Sequence, residues 1–225
     1  MADAFQNVNN LFLPDRLAAL PTFPEWSSEQ IETSRRGVEE LLEKRRAVLE
    51  EKLSEIQTQY HWVSYVLRCL GYCATASEAP PLGTDSEEYR PDFTLFASAS
   101  DFRRAVPHRG HRDFFTGALA IVRSLDWDAS LDDYESEEGN YNPAYDVDRH
   151  LRNTGLTWGI LTNGRIWRLF HRDTSGLMST YFEIDLLKVL EDKDPDAFKF
   201  FWAIFSPDGL GGSTTGQPIA HRLLN

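Results

Sequence analysis

NPAYDVDRHLRNTGLTWGILTNGRIWRLF, residues 142–170, decides the reading of the chain. AYDVDRHLRNTG predicts a short helix with Tyr145, Val147 and Leu151 on one side and Gly155 as its stop. The remainder predicts two β-rich runs joined by Asn163-Gly164. Asn-Gly is a strong hairpin signal, because a type I′ turn needs positive φ at both central residues. Just upstream, GALAIVRSLDW (residues 117–127) reads as a buried strand. Strand, helix, strand and hairpin in that order imply an α/β fold with a mixed sheet.

The flanks extend the pattern. SSEQ (residues 27–30) fits a capping box with Ser27 as N-cap. A helical repeat then runs through Val38, Leu41, Leu42, Val48, Leu49, Leu53, Ile56, Tyr60, Val63 and Leu67, with Gly71 as its stop. One helix of that length is unusual, so a break is expected between Gly37 and Tyr60. Its charged face reads as a solvated surface laced with i,i+4 ion pairs. RPDFTLFAS, from Arg90, predicts a strand after a loop-like stretch over 74–90. STYFEIDLLKVLE predicts a strand running into a helix, and PDAFKFFWAIFS a helix with Phe198, Phe201, Trp202 and Phe205 on one face. At the N-terminus, Leu13, Leu17 and Leu20 suit a short amphipathic turn in an arm that packs on the body. The expected division is an arm and long helix over 1–54, a body over 55–206, and a linker or the start of a following domain over 207–225.

Composition narrows the classes. The chain has 225 residues, 41% of them hydrophobic, which is enough for a core. A formal charge of −12 argues against a free-standing, non-specific nucleic-acid binder. DFRRAVPHRGHRDFF is the clearly positive stretch, and Arg103, Arg104, Arg109 and Arg112 in it are candidate phosphate contacts. His108 and His111 could join them, or the stretch could be a mobile surface insert. Arg165 and Arg168, beside the Asn-Gly turn, could also face DNA. The acidic stretch from Asp126 to Glu138 lacks calcium-loop spacing and reads as a solvated loop. Two cysteines, Cys69 and Cys73, read as reduced core thiols rather than a metal pair. Trp158, Trp167 and Trp202 are assigned to the core. With no secretion signal and no apolar run of about 20 residues, a cytoplasmic protein without a membrane partner is expected.

Five blocks then come in a familiar order: VSYVLRCLGY, RPDFTLF, GALAIVRSLDWDASLD, NPAYDVDRHLRNTGLTWGILTNGRIWRLF and YFEIDLLKVL. Over roughly residues 55–205 they resemble the N-terminal PD-(D/E)xK nuclease domain of large fused type II restriction–modification enzymes. Similar domains begin type I restriction subunits. The resemblance implies a restriction-endonuclease-like core, a small mixed sheet flanked by helices. It implies a proline-linked aspartate, then an acid and a lysine two apart on the next strand, then a glutamine on the following helix. The acids would hold Mg²⁺, which polarises the phosphodiester and lowers the pKa of a bound water.

Pro91-Asp92 matches the first acid. Ala120-Ile121-Val122 before and Trp127-Asp128 after fix the register of the next strand. The acid position then falls on Arg123 and the lysine position on Leu125. The glutamine falls on Asp146, and a usual tyrosine on His150. An arginine in the acid's place repels Mg²⁺, and Leu125 offers neither proton nor charge. Asp92 and Asp146 could still share a metal if they converge, and a salt bridge from Arg123 to either would make the site inert structure. The expected function is a nuclease-fold domain with a decayed catalytic site. It would scaffold or position DNA through a larger parent protein bearing methyltransferase and recognition regions. One alternative is an active Mg²⁺-dependent endonuclease with migrated residues, such as Asp126, Asp128 or a basic group from Arg103 to Arg112. The other is a protein-interaction module without a DNA role.

Overall fold

The computed structural model describes residues 4–76, 90–136, 139–211 and 216–224. In chain order the strands are β1 (Phe5–Val8), β2 (Cys73–Ala76), β3 (Phe93–Phe96), β4 (Ala120–Ser124), β5 (Tyr134–Ser136), β6 (Gly139–Tyr141), β7 (Trp158–Thr162), β8 (Ile166–His171) and β9 (Tyr181–Asp185). The helices are α1 (Pro14–Ala19), α2 (Glu29–Leu49), α3 (Glu55–Thr58), α4 (Ser64–Cys69), α5 (Ala99–Ala105), α6 (Ala144–Thr154), α7 (Arg172–Ser175), α8 (Leu186–Glu191), α9 (Pro195–Phe205), α10 (Pro207–Gly211) and α11 (Ile219–Leu224).

A seven-stranded mixed sheet, ordered β1-β9-β8-β7-β4-β3-β2, organises the chain. β4 and β7 are its parallel pair, and α6 crosses between them; the other neighbours run antiparallel. Both faces of the central strands are covered, which is why β7 is buried throughout and does not alternate. Ala120, Val122, Trp158, Ile160, Trp167 and Phe182 join the cluster packed under α2, α4 and α9. Ile121, Leu161, Phe170, Val147 and Leu151 join the cluster under α6. Successive strand residues point to opposite faces, so Arg123 shares the α6 face with Ile121. Leu11, Phe12 and Leu17 from the N-terminal arm, and Leu210, Ile219 and Leu223 from the tail, lie in the same cluster as the body.

Several expectations change in detail. The N-cap of α2 is Ser28, whose hydroxyl accepts from the Gln30 amide. The expected helix break falls after Leu49, and a capping box at Ser54 and Gln57 restarts the chain. That restart resets the helical phase, leaving Ile56 and Tyr60 exposed instead of in the core. Tyr145 and Leu13 are likewise exposed, while Val147, Leu151, Leu17 and Leu20 are buried. Cys73 lies on β2 rather than on the helix of Cys69, and both thiols are free. β2 occupies the start of the expected loop, whose residues 77–89 lie outside the described ones. The acidic stretch contains β5, which pairs with β6 just beyond it, with Glu137 and Glu138 outside the described residues. The basic stretch forms α5 and 3₁₀ turns rather than a loose insert, anchored by buried Phe114 and Phe115. No helix among the described residues is long and apolar enough to cross a membrane.

The hairpin between β7 and β8 is not a type I′ turn. Only Gly164 has positive φ there, at 86°, and the loop spans Asn163 to Arg165. The Asn163 side chain accepts from the amides of Arg165 at 3.0 Å and Ile166 at 2.7 Å, and so supplies the turn itself. The Gly164 carbonyl accepts from two indoles, Trp62 at 2.7 Å and Trp167 at 3.1 Å. Trp127 packs edge-on to Trp62 and lies over Gly164, where a Cβ would meet its ring carbons at 2.6 Å. Gly164→Ala combines that overlap with a left-handed backbone and is expected to cost about 2–4 kcal/mol. Urea unfolding of the two proteins, followed by tryptophan fluorescence, measures the difference.

Candidate functional site

The parallel strands end at Ser124 and Thr162, and the residues singled out from the sequence gather there. Asp92 enters β3 with its amide bonded to the Val122 carbonyl at 2.9 Å. Its Oδ2 accepts from the Ser124 amide at 2.5 Å and the Ser124 hydroxyl at 2.9 Å. Asp146 comes from the first turn of α6, held against the sheet by Val147 and Leu151. Arg123 stands between these carboxylates, with Nη1 at 3.2 Å from Asp92 and Nε at 3.5 Å from Asp146. A third carboxylate, Glu55, reaches the same Nη1 at 2.8 Å. The Tyr141 hydroxyl donates to Asp146 at 2.9 Å. Arg149 bonds the other oxygen of Asp146 at 3.1 Å.

Only 14% of the Arg123 side chain is exposed, so this cluster is largely withdrawn from water. Burial favours the neutral form of Arg123, but the charges of Asp92 and Glu55 outweigh it and raise its pKa. Glu55 is pushed above the usual carboxylate range by burial, reinforced by Asp92 and Asp126 and opposed by Arg123. Asp126 fixes Glu55 in place by accepting from its amide at 2.6 Å. Leu125 is fully buried in the α6-side cluster, its amide bonded to the Thr162 carbonyl at 2.9 Å. No proton or positive charge can come from that position.

Asp92 and Asp146 therefore meet through Arg123 rather than through open space suited to a metal. Among the described residues no group of three or more His, Cys, Asp or Glu side chains is arranged to hold a metal ion. A divalent cation brought to these oxygens would face a guanidinium already bonded to them. The residues do not fit Mg²⁺.

The basic candidates are not brought to this site as a group. Residues 97–119 link the end of β3 to the start of β4, so Arg103, Arg104, Arg109 and Arg112 belong to the opposite end of the strands. Arg104 pairs with Asp101, Arg103 bonds the Ala99 carbonyl, and Arg109 lies over the Phe102 ring. Arg165 is at the Asp92 end and pairs with Asp185 at 3.0 Å and Asp128 at 3.4 Å. Arg168 is turned into the protein rather than toward solvent. It is buried, bidentate on Asp132 at 2.7 and 3.0 Å, bonded to Glu183, and packed on the Tyr181 ring. The possible migrants Asp126 and Asp128 are engaged by the Glu55 amide and by Arg165.

Sequence reasoning missed Glu55, Ser124 and Tyr141. Glu55 precedes the motif by a long stretch of chain, and its nearest signal, the Ser54–Gln57 capping box, marks a helix start without locating it in space. His150 follows Asp146 by one helical turn and is buried, with no partner for Nδ1 among the described residues. Burial holds its pKa down to about 4 from the ordinary 6.5.

Arg123→Met would leave Glu55 and Asp92 partly buried without their cation, and Asp146 with Arg149 alone, at a cost of about 3–5 kcal/mol near neutral pH. The pKa of Glu55, whose carboxyl Arg123 holds down against burial, would rise further, so the deficit shrinks as the pH falls through the carboxylate range. Urea unfolding of wild type and variant across pH reads both effects. For His150, the unfolded chain takes up a proton at higher pH than the folded one, so stability falls as pH drops from 6.5 toward about 4. The loss should approach about 3 kcal/mol, and His150→Phe should remove that part of the slope in the same titration.

Compared with known proteins, the chain has no significant match to a family model, a curated protein or a solved structure.

Proposed function

We propose that this chain is a catalytically silent nuclease-fold domain of a restriction–modification polypeptide, serving as a scaffold or DNA-positioning element. The observation that carries the reading is Arg123, bonded to Asp92 and flanked by Asp146 and Glu55. In the resembled family its position holds a metal-binding acid. The element order supports the reading as well. α4, the antiparallel run β2-β3-β4, the crossover helix α6 and the parallel strand β7 follow one another as a restriction-endonuclease-like core would. Asp92 opens the middle strand of that run, and Arg123 lies near the end of the next.

Metal-assisted hydrolysis needs a cation held by carboxylates to polarise the phosphate and acidify water. Here Arg123 occupies the carboxylates and the lysine position is a buried leucine. The arrangement preserves the geometry of a strand end and supplies neither nucleophile activation nor charge stabilisation.

The full chain incubated with supercoiled plasmid and Mg²⁺ or Mn²⁺ should produce no nicking above background, while retarding duplex DNA in a salt-sensitive way. Metal-dependent cleavage that Asp92→Asn abolishes, in a variant that remains folded by circular dichroism, would overturn the silent-site reading. Absence of any DNA retardation at low salt would overturn DNA positioning and leave the scaffold.

A further inference from the structure

The opposite end of the parallel pair carries a second feature. A cleft of about 450 Å³ opens there between the 3₁₀ turn at 112–117, the end of α6 and the tail. Its lining includes Arg112, Thr116, Thr157, Trp158 and His221. Clefts of a few hundred Å³ suit small organic ligands.

The charge arrangement is unusual for so acidic a protein. Two guanidinium groups converge on Gly155. Arg112 lies against its α-carbon, where a Cβ would stand 2.5 Å from an Nη, and Arg172 donates to its carbonyl. Gly155 has a φ of 77°, so the same residue that ends α6 also leaves room for Arg112. Arg112 is exposed and forms no ion pair with any described residue. Arg172 meets only the outer limit of an ion pair with Asp173, at 3.9 Å, and that aspartate is 74% exposed. Elsewhere Arg35, Arg123, Arg165 and Arg168 each hold close carboxylates. The Trp158 ring lies between His171, at 4.9 Å, and His221, at 6.1 Å, both edge-on. Burial lowers the His171 pKa, with His221 and Arg172 acting in the same direction and Asp173 against them. Asp113 is the one carboxylate among the lining residues.

We propose that this cleft binds a phosphate group carried by a small molecule of nucleotide size. Arg112 without a close carboxylate, and Arg172 with only a distant one nearby, leave positive charge at the cleft that an oxyanion bound there would offset. Guanidinium forks match phosphate oxygens in geometry, and the hydroxyls of Thr116 and Thr157 add donors at the rim. Trp158, Phe115 and Leu210 give the cleft an apolar floor for the carbon body of the ligand. The site lies away from Asp92 and Arg123, and stands independently of their chemistry.

Calorimetric titration of the full chain with inorganic phosphate, with ATP, and with a short duplex DNA tests this. Saturable binding of phosphate and tighter binding of ATP are expected. Arg112→Gln should weaken ATP binding roughly tenfold or more, the loss of one charge-assisted contact. Arg112 is exposed, so the variant should keep the wild-type circular dichroism and melting temperature. Arg103→Gln, on the same basic stretch but outside the cleft, should leave ATP binding unchanged. No saturable binding of phosphate or ATP at millimolar concentration, or equal binding by Arg112→Gln, would overturn the site. A duplex that displaces ATP, and whose binding requires Arg112, would reassign the phosphate to nucleic acid and overturn the small-molecule assignment.

Discussion

The ion cluster around Arg123 is the constraint on which the central part of the structure depends. One guanidinium at the end of β4 joins Glu55 from the restart of the helical arm, Asp92 from the entry to β3, and Asp146 from the crossover helix. Each of these groups has lost water, and withdrawing charges from water costs several kcal/mol apiece unless partners replace it. An exposed pair such as Arg104 with Asp101 adds at most about 1 kcal/mol. The Arg123 cluster is costly to break rather than rich in net stability. It specifies where four chain segments meet, because any other docking leaves a charge without its counterpart.

A second set of interactions fixes the same region from the apolar side. The Gly164 carbonyl receives the indoles of Trp62 and Trp167, so the helix after Glu55 and the β7–β8 turn share one acceptor. Trp127 closes over that glycine, and its amide bonds the Leu53 carbonyl at 3.0 Å. Arg168 ties the next turn down through Asp132 and the Leu131 carbonyl. The segment after β4 is therefore anchored on both sides of Arg123, and the guanidinium has little freedom to swing away from its carboxylates.

Much of this was legible in the sequence. Period-two runs and an intervening helix gave strand, helix and hairpin, and burial of Ile121 and Val122 on opposite faces follows from that alternation. The resemblance set Asp92, Arg123 and Asp146 together in advance, because its motif, aligned on Trp127-Asp128, falls on those three positions. Two kinds of feature were not legible. β1 and β2 are four-residue edge strands, defined by pairing with β9 and β3 rather than by local pattern. Glu55 and the Arg168 network depend on contacts between residues far apart in the chain, which no spacing rule encodes. The Asn-Gly turn misled for a related reason: Asn163 uses its side chain, and only Gly164 takes the left-handed backbone.

The two ends of the parallel pair divide the protein's charge in a way that bears on how it works. Open α/β sheets ordinarily present their binding crevice at the carboxyl ends of parallel strands, where loops diverge. Here that end carries Glu55, Asp92, Asp126 and Asp146, and its central cation is the protein's own Arg123. A phosphate approaching it meets carboxylates, and a metal meets a guanidinium. The amino ends of β4 and β7 carry Arg112 and Arg172 with few close carboxylates and an open cleft. In a chain of net charge −12, a cation without a close carboxylate sets the local field around it. Arg123 thus does more than join four chain segments at one end of the sheet. By satisfying the carboxylates internally, it leaves the opposite end as the place where an anion gains most from binding.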